Sequence, residues 1–275
     1  MSIIEQLKQC IDNAEVVVIG AGAGLSSAAG FEYGGKTFMK HFKYMYDQYG
    51  YKDMYTAGFH PFQTSEEKWG YWSKFIYLNR YSVGATPLYQ QLLQLVKRKD
   101  YFVLTTNVDH QFQLAGFDKE RLFYTQGDYG LLQCADACHA KTYDNQEIIE
   151  SMIKQEKDGK IPHRLIPICP FCKKEMDMNL RKNEFFVEDE GWHQAARRYR
   201  EFIQSRRQNK ILFLELGVGY NTPSIIKYPF WQMTYSYPYA TYACINLGEI
   251  AVPKEIQNRS ICINDNIEKV IQSLL

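Results

Sequence analysis

The sequence predicts an α/β fold: a doubly wound parallel sheet, a small inserted cysteine-rich module and an aromatic helical segment. Short apolar runs alternate with amphipathic helical patterns along the 275 residues, which is typical of parallel sheets. Residues 38–81 break this alternation with 15 aromatic residues. Residues 134–172 break it a second time, with two close cysteine pairs. We therefore expect a main domain with two departures from regular strand–helix order.

The same pattern predicts the elements and the domain limits. The apolar runs that we expect to form buried strands are 16–20, 101–106, 122–125, 211–216, 241–246 and 260–263. The helical patterns include 87–99, 192–207 and 266–275. The expected limits are 1–130 and 175–275 for a Rossmann-like main domain, about 36–82 for its helical insertion, and 131–174 for the cysteine-rich module.

Composition narrows the class of protein. A hydrophobic content of 45% supports a substantial core, and a net charge of +1 gives no electrostatic reason to expect nucleic acid or an anionic membrane as partner. No apolar run approaches the roughly 20 residues of a membrane span, and the N-terminal residues do not resemble a signal peptide. We expect a cytoplasmic protein.

The aromatic segment at 38–81 admits two compatible interpretations. The simpler one is a helical cap with an aromatic core. The functional one is an aromatic wall over a ligand pocket, since such pockets are mainly apolar with few polar groups.

A glycine-rich turn follows the first predicted strand. The run 16–20 leads into Gly22 and Gly24, and Ser and Ala residues then begin a helix. Glycine lets the backbone turn tightly and approach a ligand that a Cβ would exclude. A helix N-terminus presents N–H donors and a partial positive charge, so the turn suits a pyrophosphate. The sequence therefore predicts a bound nucleotide.

The segment after this turn disfavours hydride transfer. The usual dinucleotide fold carries an Asp or Glu at the end of a second strand, about 20 residues after the glycines. That window falls near 40–51, which is aromatic and helix-like, and the next convincing strand begins near Tyr101. The nucleotide is therefore expected to serve a chemistry other than that of a dehydrogenase.

The cysteine spacing indicates a metal site. Cys134 and Cys138 form a CxxxC pair, Cys169 and Cys172 form a CxxC pair, and 30 residues separate the pairs. Two such knuckles suit four thiolates around one tetrahedral Zn²⁺, which leaves no open position for water or substrate, so the zinc would be structural. A redox pair at Cys169 and Cys172 is the alternative. His139 is adjacent, but four cysteines already complete the coordination.

Small and polar residues lie at the ends of four of the predicted strands or directly after them. They are Asn107 and Asp109, Gln126 and Gly127, then Gly217, Gly219 and Asn221, and finally Asn246. Ligands of open α/β sheets bind at the carboxyl ends of the strands, so we expect these residues around one site. A turn that caps the next helix is the simpler interpretation of Asn107 and Asp109 taken by themselves.

These elements, in this order, resemble the sirtuins, which are NAD-dependent protein deacylases and ADP-ribosyltransferases. Residues 22–26, continued by Ala29 and Gly30, are similar to the family's GAGxS cofactor loop, and residues 105–109 to its TQNxD segment. The paired cysteines are similar to its zinc ribbon, and residues 217–219 to its GTS loop. The resemblance covers nearly the full length of the chain.

The resemblance implies an NAD co-substrate and a structural zinc. Asn246 matches the element that holds the adenosine ribose, and Asn264 the place where the backbone contacts adenine. The implied NAD-binding residues are Gly22, Ala23, Gly24, Ser26, Gly30, Phe31, Asn107, Asp109, Gln126, Gly217, Gly219, Asn221, Asn246 and Asn264. The implied zinc ligands are Cys134, Cys138, Cys169 and Cys172.

Two departures from the family pattern narrow the activity. Sirtuins carry a catalytic His-Gly before the first cysteines, whereas this chain has Gln126 and Gly127. They also carry a Pro-Asp-Phe-Arg run over the nicotinamide ribose, which is replaced here by residues 31–35. Together with the aromatic segment at 53–59, these features resemble the microbial class M sirtuins. Those are encoded beside macrodomain proteins and transfer ADP-ribose to a protein.

The missing histidine limits the reaction steps that we expect, and the catalytic roles are assigned to the steps that remain. A Gln amide has no titratable nitrogen in the useful range, but it hydrogen-bonds ribose hydroxyls, so we expect the late deacylation steps to be impaired and nicotinamide loss to be retained. On this interpretation Asn107 orients the nicotinamide ribose or its carboxamide region. Asp109 stabilises developing positive charge or accepts a proton from the nucleophile. Gln126 positions the ribose hydroxyls.

The expected function is mono-ADP-ribosylation of a protein acceptor, with release of nicotinamide. The resemblance implies a lipoyl-carrier protein, such as a glycine-cleavage H-like protein, as the acceptor and a macrodomain protein as a further partner. Neither nucleic acid nor a membrane is expected. Three alternatives remain: a deacylase, an NAD hydrolase, and a non-enzymatic NAD-sensing module.

Overall fold

The computed structural model describes residues 1–248 and 250–275. Its strands are β1 (Val16–Ala21), β2 (Asp100–Thr105), β3 (Leu122–Tyr124), β4 (Gly127–Cys134), β5 (Tyr143–Asp144), β6 (Met176–Leu180), β7 (Ile211–Leu216), β8 (Thr241–Asn246) and β9 (Ser260–Asn264). Its α-helices are α1 (Ile3–Asn13), α2 (Ala23–Ala28), α3 (Gly35–His41), α4 (Lys43–Tyr49), α5 (Met54–Ala57), α6 (Ser65–Ile76), α7 (Pro87–Val96), α8 (Gln111–Leu114), α9 (Gln146–Gln155), α10 (Glu190–Ser205), α11 (Lys227–Ser236) and α12 (Ile267–Leu274). A π-helix spans Tyr77–Tyr81, and 3-10 turns span Lys119–Arg121, His163–Leu165 and Lys254–Arg259.

Six of these strands form a parallel sheet in the order β3-β2-β1-β7-β8-β9. They are the six strands that the sequence predicts, and they differ from the predicted runs only at their ends. The order runs outward from β1 to β3 on one side and from β7 to β9 on the other, so the direction of winding reverses between β1 and β7. The predicted doubly wound α/β class is confirmed.

Both faces of β1 are buried, which explains its unbroken apolar run. Val17 and Ile19 belong to the core that α1, α7 and α12 cover. Val16 and Val18 belong to the opposite core, which α10 and α11 cover. Helices therefore lie on both faces of the sheet, and the sheet edge at the carboxyl ends of the strands is left to the loops.

The segment between β1 and β2 is helical. Residues 40–51, where a dinucleotide fold would carry an acid at a strand end, lie in α3, in α4 and in the residues next to α4. The described chain forms no strand between β1 and β2. This agrees with the argument against a dehydrogenase.

Contacts divide the chain into two compact units. The first consists of Met1–Ala29, Ala85–Gln126 and Glu190–Leu275 and contains the six-stranded sheet. The second consists of Gly30–Gly84 and Gly127–Asp189. The limits differ from those expected from the sequence because β4 pairs with β6, so the residues flanking the cysteine segment join the second unit.

An aromatic core fills the second unit. Trp69, Tyr71 and Phe75 of α6 are buried. The rings of Phe42 and Tyr71 have centroids 4.8 Å apart, and those of Phe75 and Tyr129 are 5.2 Å apart. An antiparallel sheet of order β5-β4-β6 completes the unit. These aromatic residues are core residues, as the simpler interpretation of the segment expects.

Crossing a bilayer requires a helix that is both long and apolar, and none is present among the described residues.

Candidate active site

The carboxyl ends of four parallel strands meet at one edge of the first unit. At the last residue pairs of the ladders, Ala21 lies opposite both Thr105 and Leu216, and Leu216 lies opposite Ile245. The loops after β1, β2, β7 and β8 therefore leave the sheet together, at the point where the winding reverses. This is the place where open α/β sheets bind ligands.

The loops after β1 and β7 are in direct backbone contact. The Gly22 N–H donates to the Leu216 carbonyl at 3.0 Å, and the Gly24 N–H donates to the Gly217 carbonyl at 2.9 Å. A Cβ on Gly22 would lie 2.7 Å from the Gly217 oxygen, and Gly217 itself has a φ of +64°. The glycines that the sequence assigns to the approach of a ligand thus also allow these two loops to close on each other.

Replacing Gly22 by alanine should destabilise the fold, because the new Cβ meets backbone atoms that no rotamer change can move. It would also lie 2.9 Å from the Val218 Cα. We expect Gly22→Ala to lower the free energy of unfolding by about 1–3 kcal/mol, as overpacking does, when measured by denaturant titration. Gly219→Ala, in the turn after β7 that faces the Gly22 turn, is the matched control, since its Cβ would meet no atom within 4 Å. Equal stability of the two variants would contradict the expected clash.

Part of the N-terminus of α2 is engaged within the protein. The Gly24 N–H donates to Gly217, and the Leu25 N–H donates to the Gly22 carbonyl at 2.9 Å. In this arrangement those two donors are not available to a pyrophosphate. Ala23, the first residue of the helix, is exposed.

Asn107 and Asp109 follow β2 and are nearly buried, with 9% and 2% of their surfaces exposed. Asn107 Nδ2 donates to the Gly22 carbonyl at 3.0 Å and so ties the loop after β2 to the loop after β1. Asp109 Oδ1 accepts from the Gln111 N–H at 3.0 Å, which is the helix-capping contact of the simpler interpretation. Asp109 Oδ2 accepts from Ser26 Oγ at 2.5 Å, which joins it to the predicted cofactor loop.

Tyr89 of α7 belongs to the same cluster, although sequence analysis does not single it out. Its hydroxyl lies 3.3 Å from Asn107 Nδ2, and 3.5 Å from both Asp109 Oδ2 and Ser26 Oγ. The ring is fully buried on the apolar face of α7. A tyrosine at such a position matches the helical pattern as well as a leucine would, so the sequence carries no signal for its polar contacts.

Gln126 lies just after β3 and is half-buried. The preceding residue is held on both sides: the Thr125 N–H donates to the Thr105 carbonyl at 2.9 Å, and Trp192 Nε1 donates to the Thr125 carbonyl at 3.2 Å. Because β3 pairs with β2 in parallel, Gln126 leaves the sheet at the same edge as Asn107.

Other residues of the first unit that the sequence predicts to contact NAD lie along this edge of the sheet. Asn246 at the end of β8 is the register partner of Asn264 at the end of β9. Asn264 Oδ1 accepts from the Gly248 N–H at 3.0 Å. Gly219 and Asn221 are exposed in the connection between β7 and α11.

Gly30 and Phe31, the last two predicted NAD contacts, begin the second unit. Gly30 has a φ of +91°, and Phe31 is buried with 8% of its surface exposed.

The four paired cysteines converge in the second unit. Their sulfurs all lie within 4.8 Å of one another, with Cys134 and Cys172 3.6 Å apart and Cys138 and Cys169 3.7 Å apart. Four sulfurs bound to one zinc at about 2.3 Å would be about 3.8 Å apart, so the arrangement fits tetrahedral coordination. Desolvation raises the pKa of Cys169, but the backbone N–H groups of Cys172 and Phe171 lower it to about 7.

His139 lies beside this cluster. Its Nδ1 is 3.1 Å from Cys138 Sγ, and its Nε2 is 2.8 Å from the Tyr143 hydroxyl. The ring therefore bridges a sulfur of the cysteine cluster and a tyrosine hydroxyl.

Comparison with known proteins adds the fold and the family. No family model matches the chain. A solved Sir2 variant with a p53 peptide and NAD aligns over 100% of this chain and 97% of its own, with a TM-score of 0.61 and 19% identity. A solved structure of Sir2Tm with a propionylated peptide aligns over 99% and 96%, with a TM-score of 0.60 and 18% identity. These similarities show that the chain has the sirtuin fold.

A protein of Staphylococcus aureus (strain Mu50 / ATCC 700699) named "Protein ADP-ribosyltransferase" is 38% identical over 272 residues, which are 98% of this chain and 86% of that protein. This chain belongs to the sirtuin-type protein ADP-ribosyltransferases. A second relative, from Fusarium oxysporum f. sp. cubense, is named "Probable bifunctional ADP-ribose hydrolase/ADP-ribosyltransferase". It is 30% identical over 98% of this chain, and the match spans 47% of its own length.

Proposed function

We propose that this chain transfers ADP-ribose from NAD to a protein side chain and releases nicotinamide. Both sirtuin-type relatives carry the transferase name. One feature of this chain favours transfer over deacylation: the residue that leaves the sheet after β3 is Gln126, which cannot accept a proton as a histidine does. Deacylation needs a base that acts on a ribose hydroxyl after nicotinamide has left, whereas transfer to a protein nucleophile omits that step.

The residue roles are those that the cluster around Asp109 supports. In the reaction the bond between nicotinamide and the ribose carbon breaks, and the acceptor side chain forms the new bond to that carbon. The buried Asp109 carboxylate, held by Ser26 and Gln111, is suited to stabilise the positive charge that develops on the ribose. The alternative role that we propose for Asp109 is to take the proton of the nucleophile. Asn107 orients the nicotinamide side of the substrate, and Gln126 positions the ribose hydroxyls.

The NAD-binding residues of the first unit are proposed from the sheet edge and the family resemblance, and Gly30 and Phe31 of the second unit from the resemblance alone. The support in this chain is the closure of the β1 and β7 loops on each other and their link to Asn107. The set is Gly22, Ala23, Gly24, Ser26, Gly30, Phe31, Asn107, Asp109, Gln126, Gly217, Gly219, Asn221, Asn246 and Asn264.

We propose that the cysteine cluster binds one structural Zn²⁺. The sulfur separations support tetrahedral coordination, which leaves no position for substrate. Free thiolate ligands persist in a reducing compartment, so this proposal also supports a cytoplasmic location.

The proposed acceptor is a lipoyl-carrier protein of the glycine-cleavage H-like type, which the resemblance to class M sirtuins implies. A macrodomain protein is the proposed partner that removes the modification. The name and the greater length of the Fusarium relative support a link between transfer and ADP-ribose hydrolysis.

The proposal is tested by incubating the protein with adenine-labelled NAD and a lipoyl-carrier protein, in lipoylated and unlipoylated forms. We expect label on the carrier in at least one form, with one nicotinamide released per label. Asp109→Asn, which preserves the size of the side chain, is the matched inactive control.

The products distinguish the alternatives. Label that stays off every form of the carrier, with free ADP-ribose accumulating, would identify an NAD hydrolase. O-acyl-ADP-ribose from an acylated peptide would identify a deacylase. NAD binding without nicotinamide release would identify a sensing module. Each of these results contradicts the proposed transfer.

A further inference from the structure

A fully buried ion pair lies directly behind the turn after β7. Glu215 and Lys227 have side chains that are 0% and 1% exposed, and Lys227 Nζ lies 2.5 Å from Glu215 Oε1. The pair joins β7 to α11, and Phe213 of β7 and Phe230 of α11 belong to the apolar core between these two elements. Desolvating two charges in such a core usually offsets their attraction, and an apolar pair of similar size is often as stable. Stability alone therefore does not account for the pair.

The position of the pair in the chain suggests what it does. Glu215 lies two residues before Gly217, and Lys227 comes directly after Ile226, so the pair joins the two ends of the connection between β7 and α11. This connection carries Gly217, Gly219 and Asn221, three of the proposed NAD-binding residues. The ion pair closes it at its base.

The same ammonium also contacts the middle of the connection. Lys227 Nζ lies 5.0 Å from the centroid of the Tyr220 ring and 5.7 Å from that of Trp231, both within the range of cation–π attraction. Tyr220 lies between Gly219 and Asn221, and 42% of its surface is exposed. One side chain thus contacts the start of the connection through Glu215 and its middle through Tyr220.

Further contacts connect the pair to the rest of the site. The Gly217 N–H donates to the Ile245 carbonyl at 3.1 Å, and its carbonyl accepts from Gly24. A Cβ on Gly20, at the end of β1, would lie 2.4 Å from Ile226 Cγ2, so the residue before Lys227 packs against β1. A displacement of Lys227 would therefore change the position of the turn relative to the β1 loop.

Further polar groups lie next to the Glu215–Lys227 ion pair. Cys244 Sγ lies 3.6 Å from the same Glu215 oxygen, and burial with the charge of Glu215 raises the pKa of this thiol to about 12. The buried hydroxyl of Tyr242 also interacts with Glu215, and burial raises the pKa of this tyrosine. Lys227 is therefore the cation that compensates this carboxylate.

We propose that Lys227 is a positioning residue for NAD: its ammonium, fixed by Glu215, holds the Tyr220 ring and thereby sets the 217–221 turn that contacts the nucleotide. This rests on the proposed NAD-binding function. It adds that a buried side chain, which does not itself touch the nucleotide, contributes to the affinity for NAD.

The test measures NAD affinity and stability together. The Glu215→Leu/Lys227→Met double variant replaces the ion pair by an apolar pair, so no unpaired charge is left in the core. We expect its free energy of unfolding to be close to that of the wild type, its Kd for NAD from calorimetry to rise roughly 2- to 30-fold, and kcat at saturating NAD to be retained. Lys43→Met is the matched control, because its ammonium pairs with Asp47 on an exposed helix surface of the second unit.

A second set of variants in the same experiment changes Tyr220. Tyr220→Phe keeps the aromatic face and should bind NAD as the wild type does, whereas Tyr220→Leu should weaken binding as much as the double variant. The triple variant should be no weaker than either, because both changes remove the same interaction. Additive effects, or wild-type NAD affinity in a folded double variant, would overturn the proposal.

Binding is measured without an acceptor protein, so the two proposals fail differently. A wild-type protein that binds no NAD would overturn the proposed function. A wild-type protein that binds NAD no more tightly than the folded variants would overturn only the role of Lys227.

Discussion

Replacing Asp109 by alanine should reduce kcat for ADP-ribosyl transfer roughly 10²–10⁴-fold, the range that a well-placed catalytic carboxylate contributes. The reason lies in its environment: the carboxylate is 2% exposed and accepts hydrogen bonds from Ser26 Oγ and the Gln111 N–H. A charge held in this way keeps its orientation when the ribose becomes positive, so no reorganisation is required during the reaction. Nicotinamide release under saturating NAD measures the effect.

The Asp109→Asn variant tests the negative charge of the side chain separately from its structural contacts. The amide has the same size: its oxygen can still accept from the Gln111 N–H, and its NH2 can donate to Ser26 Oγ, so the fold and the loop contacts should survive, as checked by thermal unfolding. We expect the Asn variant to be nearly as inactive as the Ala variant. Recovery of wild-type activity in the Asn variant would show that Asp109 acts only as a helix cap.

Loss of one cysteine ligand should have the largest effect on stability. We expect Cys169→Ser to abolish zinc binding and to unfold the β5-β4-β6 sheet, because Cys134 lies at the end of β4 and Cys169 lies in the connection that returns the chain to β6. Zinc binding contributes about 10–16 kcal/mol to the folding of zinc-finger peptides. We expect the packing contacts around the cysteine cluster to be too weak to replace a contribution of this size. Zinc content by mass spectrometry and thermal unfolding report the two effects.

Cys10→Ser is the control for this prediction. Cys10 lies in α1, outside the cluster, so its replacement should leave the zinc content unchanged. A wild-type protein without zinc, in which Cys169 and Cys172 form a disulfide on oxidation, would support the redox alternative.

Much of the fold is predictable from patterns in the sequence. The apolar runs become the six parallel strands because a strand buried on both faces needs an unbroken apolar sequence. The cysteine spacing predicts a four-sulfur cluster, because coordination of one ion allows few spacings between the ligands in sequence. In the structure the four sulfurs lie within 4.8 Å of one another. The polar residues after β2 and β3 reach the same edge because parallel strands end on the same side of the sheet.

Other features depend on contacts that no local pattern encodes. Tyr89 occupies an ordinary apolar position of α7, yet its hydroxyl lies beside Asn107 and Asp109. Glu215 stands in a buried apolar strand, and this irregularity is a signal in the sequence, but its partner lies 12 residues away on a helix. The partition of β4 and β6 into the second unit depends on their pairing with each other rather than on their neighbours in sequence.

The sequence by itself determined the fold class, the zinc-type cysteine spacing and the presence of Gln126 where the sirtuin pattern has a histidine, because each is set by residue identity or by short-range periodicity. The tertiary structure alone decided how these parts act together. It placed the Gly22 and Gly217 turns in backbone contact, directed Ser26 and Tyr89 at Asp109, and buried Lys227 against Glu215 behind the turn after β7. Such contacts arise only when separate strands are brought side by side, so chain geometry rather than composition determines them.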